Sequence, residues 1–125
     1  MNAHAQAIAT YGNPKKIQKT ARAAEYEVIA QITSNLQRAS KDPGHSFPEL
    51  VAALVQNRRL WTEFAIDLAS TENQLPLSLK LQLLSLARFV EKQTDFVLDG
   101  TGSATVLIDI NYALMCGLSG KGEQL

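Results

Sequence analysis

The sequence holds one cysteine, Cys116, two histidines, one tryptophan and no excess of either charge, with twelve basic residues against twelve acidic ones. A lone cysteine cannot close an internal disulfide, which is compatible with a reducing compartment. Zero net charge argues against nucleic acid as a directly bound main partner, because that binding is driven by many Lys and Arg contacts to phosphate. Long apolar runs are also missing. The richest stretch, Leu75 to Val90, is broken by Lys80, Gln82, Ser85 and Arg88, whereas a membrane span needs about 20 mostly apolar residues. Met1 to Thr10 lacks the basic start and apolar core of a secretory signal. A soluble, unexported, cytoplasmic chain with no membrane insertion is expected. Its 125 residues fit one domain. A chain of this size buries roughly two-thirds of its unfolded surface, enough for a core without disulfides or metal.

Catalytic chemistry is scarce. His4 and His45 have no ligand pair at helical spacing around them, so no metal site is expected. Gly100-Thr101-Gly102-Ser103 is not followed by the Gly-Lys-Ser/Thr of a phosphate loop. Ser46 beside His45 is better explained as a helix cap than as a nucleophile with its base. Cys116 falls near a helix C-terminus, which disfavours a thiolate. The expectation is a protein that is not an enzyme and carries no cofactor.

What is present is helical periodicity. Asn2 to Tyr11 has a weak Ala3, Ala7, Ile8, Tyr11 face, too short to be stable alone. Pro14 opens a helix over 14–40 whose stripe is Ile17, Ala21, Ala24, Val28, Ile32, Leu36 and Ala39. Asp42-Pro43-Gly44 breaks it. Ser46 and Glu49 have capping-box spacing ahead of a helix over 46–69. A third long helix covers 76–98 and is closed by Asp99-Gly100; a fourth covers 104–117; 119–125 reads as a frayed tail. Short polar loops between long helices favour antiparallel neighbours. The fold class is therefore all-α: a single-domain bundle of four long helices plus a short N-terminal helical segment.

Three features exceed what such a bundle requires. Asn57 falls in the middle of the apolar stripe Leu50, Leu54, Trp61, Phe64, Leu68, and Asn111 falls between Leu107, Leu114 and Leu118. Burying an amide unpaired costs ~1–3 kcal/mol. The two amides are therefore structural polar groups that could bond each other or cap a neighbouring helix end; Asp109 points the other way. Second, the 76–98 segment is apolar on several sides. Its main face is Leu79, Leu83, Leu86, Val90, Thr94 and Val97; Leu77, Leu81 and Leu84 form a second ridge; Phe89 and Phe96 form a third. Either it is the central helix of the bundle, or one ridge stays open for a partner's amphipathic helix. Third, Arg58 and Trp61 are the residue types enriched in protein interfaces, although Arg58 and Arg59 also suit a solvated flank. Lys15, Lys16, Lys19 and Arg22 crowd the start of the first helix, where cations oppose the helix dipole.

Asn57-Arg58-Arg59-Leu60-Trp61, Ser85-Leu86-Ala87-Arg88-Phe89-Val90 and Leu107-Ile108-Asp109-Ile110-Asn111, in this order and spacing, resemble the flagellar biosynthesis regulator FlaF family of alphaproteobacteria. Tyr11 and Ala24-Glu25-Tyr26-Glu27 fit more loosely. The resemblance covers about residues 5–118. It implies a small cytoplasmic protein that binds flagellin as a secretion chaperone and acts beside the regulator FlbT in post-transcriptional control of flagellin synthesis. Flagellin termini are amphipathic helices, and helix-in-groove recognition would cover them. The expected groove uses Arg58, Trp61 and Phe64 from one helix and Leu77, Leu81, Leu84, Phe89 and Phe96 from the next. Two alternatives stand beside it. One is a regulator acting on flagellin mRNA, directly or through a partner, with the basic cluster as its sequence support. The other is a structural homodimer that pairs the spare ridge with its own copy.

Overall fold

The computed structural model describes residues 14–41 and 46–119. They form four helices: α1 (Pro14–Lys41), α2 (Phe47–Ala69), α3 (Leu77–Leu98) and α4 (Ala104–Ser119). No strand occurs among the described residues. The expected helix over 2–11 and the end of the tail, 120–125, lie outside them. Each helix packs on its neighbour in the chain, and α1 closes the ring against α4. α1 and α3, like α2 and α4, are diagonals whose Cα atoms stay more than 8 Å apart. With short connections this is an up-and-down helical bundle.

The helix ends follow from local chemistry. Ser46 caps α2: Glu49 N–H donates to its Oγ at 3.4 Å, and Ser46 N–H donates back to the Glu49 carboxylate at 3.5 Å. The two orphan donors of the first turn are thereby satisfied. At the end of α3, Gly100 takes φ +81°, and the N–H groups of Thr101 and Gly102 both donate to Phe96 O at 2.9 and 3.0 Å. The left-handed step needs glycine at 100. Gly102 is required for a different reason: a Cβ there would sit 2.7 Å from the Phe96 Cβ. Gln93 then donates to Ser103 O at 3.2 Å, tying the turn to the helix it leaves.

The apolar core is built from Leu36, Leu54, Trp61, Val90, Val97, Leu107 and Ile108, with the small side chains of Ala53, Ala87 and Ala104 among them. Inside it lies a polar layer. Asn111 Nδ2 of α4 donates to Asn57 Oδ1 of α2 at 2.8 Å and to Thr33 Oγ1 of α1 at 3.0 Å. The Trp61 indole N–H donates to Asn111 Oδ1 at 2.9 Å. The Thr33 hydroxyl in turn donates to Ile29 O at 2.6 Å. All four side chains are buried. One amide thus joins three helices, including the diagonal pair α2 and α4. Asn57 Nδ2 is the buried side-chain nitrogen or oxygen without a hydrogen-bond partner among the described residues.

Asn111→Ala strands the Trp61 donor and the Asn57 acceptor together, so it should cost about 2–4 kcal/mol of unfolding free energy. Asn57→Ala removes one acceptor and relieves an unpaired donor, so it should cost less. Urea denaturation of the two variants checks that order.

Candidate functional site

Over the described residues α4 has 16 residues against 22 in α3. The two helices run back from a tight turn at 99–103, and they share the sparsest packing of any adjacent pair. The inward side of α3 records this. Val97, Val90, Leu86, Leu83 and Leu79 fall on one side at 100° per residue. Val90 is 0% and Val97 6% exposed, Leu86 and Leu83 are half-buried, and Leu79 is 38% exposed. The face that is core at one end of α3 meets solvent at the other.

The second ridge is also open. Leu77 is 71% and Leu81 57% exposed, and Leu84 is half-buried. Ile66, near the end of α2, and Leu75, in the turn ahead of α3, add to the uncovered apolar surface. Single exposed leucines are ordinary. A contiguous set at one end of a bundle is what marks interaction surfaces. Phe89 and Phe96 are exposed as well, but they stand about a quarter turn round the helix from Leu77 and Leu81. The structure does not gather the two phenylalanines and the leucine ridge onto one surface.

Trp61 occupies a different place from the expected surface anchor. It is 2% exposed, its N–H is spent on Asn111, and it meets Phe64 edge-on at 5.6 Å with the rings 73° apart. The stripe that carries it does not reveal that a buried acceptor on α4 waits for its indole. Phe64 is half-buried against the same core. Arg58 is half-exposed and donates to Asp95 of α3 at 3.3 Å. With its two side chains 35% and 63% exposed, such a pair contributes ~0.2–1 kcal/mol at most. Asn57 and Asn111 bond each other, and Asp109 faces outward.

Between α2 and α3 there is a cleft of about 210 Å³. Trp61, Ala65, Leu84, Ala87 and Val90 form its apolar lining; Arg58 and Thr62 stand on the α2 lip, Arg88 and Glu91 on the α3 lip. The cleft exists because alanines at 65 and 87 do not fill the seam that two larger side chains would close. Periodicity along either helix does not announce it. Small residues on two helices are a signal only when the register that opposes them is known.

No helix among the described residues is long and apolar enough to cross a membrane. Residues 7–118 match the family described as Flagellar protein FlaF, and the chain belongs to that family. It is thus a protein of the flagellar system. No curated protein and no solved structure matches it.

The two groups of residues should respond differently to substitution. Leu77→Asp and Leu81→Asp change exposed positions and should shift stability by no more than about 0.5 kcal/mol, helped at 77 by a carboxylate in the first turn of α3. Trp61→Ala opens a core cavity and should cost about 3–5 kcal/mol. Thermal melts followed by far-ultraviolet circular dichroism separate the two cases.

Proposed function

We propose that this member of the FlaF family is a cytoplasmic, non-enzymatic binding protein that covers amphipathic helices of flagellin before export. The observation that carries the reading is the open leucine surface at the start of α3. Leu77 and Leu81 are more than half exposed on a helix whose other end is core. Leaving such side chains in water forgoes roughly 1.5–3 kcal/mol each relative to full burial. A partner that buries them recovers that free energy at the interface.

An amphipathic helix is the partner whose geometry fits. Its anchors recur at i, i+3, i+4 and i+7, and the ridge Leu77, Leu81, Leu84 repeats at the same spacings. Flagellin termini have this amphipathic character and assemble with their own kind once exported, so a cytosolic cover over the apolar face keeps them monomeric. Control of flagellin synthesis alongside FlbT is compatible with this role. A factor that binds the client directly senses how much unassembled client is present.

The test is retention of folded flagellin by the immobilised protein. Wild type should retain it, and the double variant Leu77→Asp/Leu81→Asp should bind at least about tenfold more weakly while melting like wild type. Equal retention by the two removes the ridge from the interface. If wild type retains no flagellin at all, the client assignment falls.

A further inference from the structure

We infer that the cleft between α2 and α3 is the anchoring pocket for one large apolar side chain of a client helix that carries a carboxylate beside that anchor. The inference rests on the helix-binding reading above and adds where the helix is gripped and what chemistry it must bring.

Size comes first. A dry apolar cavity of roughly 150 Å³ holds a benzene ring, so the 210 Å³ here takes a leucine or phenylalanine side chain. The floor suits either one. Trp61 and Ala65 face Leu84 and Ala87 across the seam, so an entering side chain meets carbon on both walls.

Continuity comes second. Leu77, Leu81, Leu84 and Arg88 share one side of α3 at 100° per residue. Leu84 and Arg88 line the cleft, and Leu81 and Leu77 extend the same line toward the helix start. A helix whose anchor sits in the cleft therefore lays its next apolar residues, one and two turns on, against Leu81 and Leu77.

Charge selects the occupant. The lips carry two guanidinium groups, one from each helix, and one carboxylate, Glu91. Arg88 makes no ion pair with any described residue, and Arg58 commits only one nitrogen, at 3.3 Å, to Asp95. A guanidinium offers five N–H donors, so most of this donor capacity faces solvent around an apolar hole. An Asp or Glu next to the anchor meets it, whereas a Lys or Arg there offers these donors no acceptor. A second copy of this chain could supply leucines, but its exposed ridge ends in Arg88 and would set like charges together.

The experiment titrates purified flagellin against the full-length protein and follows emission of Trp61, the only tryptophan in the chain and the floor of the cleft. Two variants act on the pocket. Ala87→Leu fills it, and Arg88→Glu reverses one lip at an exposed position where folding is not at risk. Wild type should bind with a change in Trp61 emission and with an affinity that falls as salt rises. Ala87→Leu and Arg88→Glu should each weaken binding about tenfold or more, and Arg88→Glu should flatten the salt dependence. Circular dichroism keeps the Ala87→Leu result interpretable, since overpacking a core position costs about 1–3 kcal/mol. If flagellin binds wild type and both folded variants alike, the pocket assignment is overturned while the helix-binding reading survives. Failure of wild type to bind overturns both. Sedimentation completes the set: a wild-type dimer that Ala87→Leu dissociates would hand the cleft to a second copy and overturn the proposal.

Discussion

The bundle is organised around one carboxamide. Asn111 on α4 accepts from the Trp61 indole and donates to Asn57 on α2 and Thr33 on α1. Its neighbours are apolar, so a slip of any of these helices by one turn would leave several buried donors and acceptors unpaired, at ~1–3 kcal/mol each. Hydrophobic contacts alone tolerate sliding; directional bonds in a low-dielectric core do not. This layer sets the level at which α1, α2 and α4 meet. α3 is held to it through Val90 and Ala87, packed in the same core as Trp61, and by the Thr94 hydroxyl, which bonds back to Val90 O at 2.7 Å rather than across to another helix.

Fixing the register at that layer has a consequence at the far end of the molecule. Over the described residues α4 has 16 residues against 22 in α3, and these two helices share the sparsest packing of any adjacent pair. The inward face of α3 then changes from core to surface without any change in its leucine-rich sequence. The same substitution type therefore means different things along one helix. Loss of Val90 removes a side chain from the centre of the core, and loss of Leu77 or Leu81 touches almost nothing in the free protein. Surplus apolar surface that stability does not require is the physical basis for assigning it to a partner.

Much of this was legible in the residues. The 3.6-residue stripes, Pro14, the Ser46–Glu49 box and Asp99-Gly100 carry enough local information to place four helices. Asn57 and Asn111 announced a polar layer because each interrupts an apolar stripe. What periodicity could not supply was distance between helices. Trp61 lies on its stripe whether it faces a groove or a buried amide, and only the position of α4 decides between them. The bond from Arg58 to Asp95 joins residues 37 apart in sequence, and the cleft depends on Ala65 and Ala87 coming face to face. Both are properties of register, which side-chain spacing along one helix does not encode. The multi-sided leucine pattern of α3 was visible from the start. The structure separates the part that is core from the part that is not.

The most direct measure of the central claim is amide hydrogen exchange across α3 in the free protein and with flagellin bound. The account predicts that amides over 77–84 exchange quickly in the free state and gain protection with flagellin, while those around Val90 and Thr94 are protected throughout. Strong protection of 77–84 in the free protein, or none gained on adding flagellin, would contradict it.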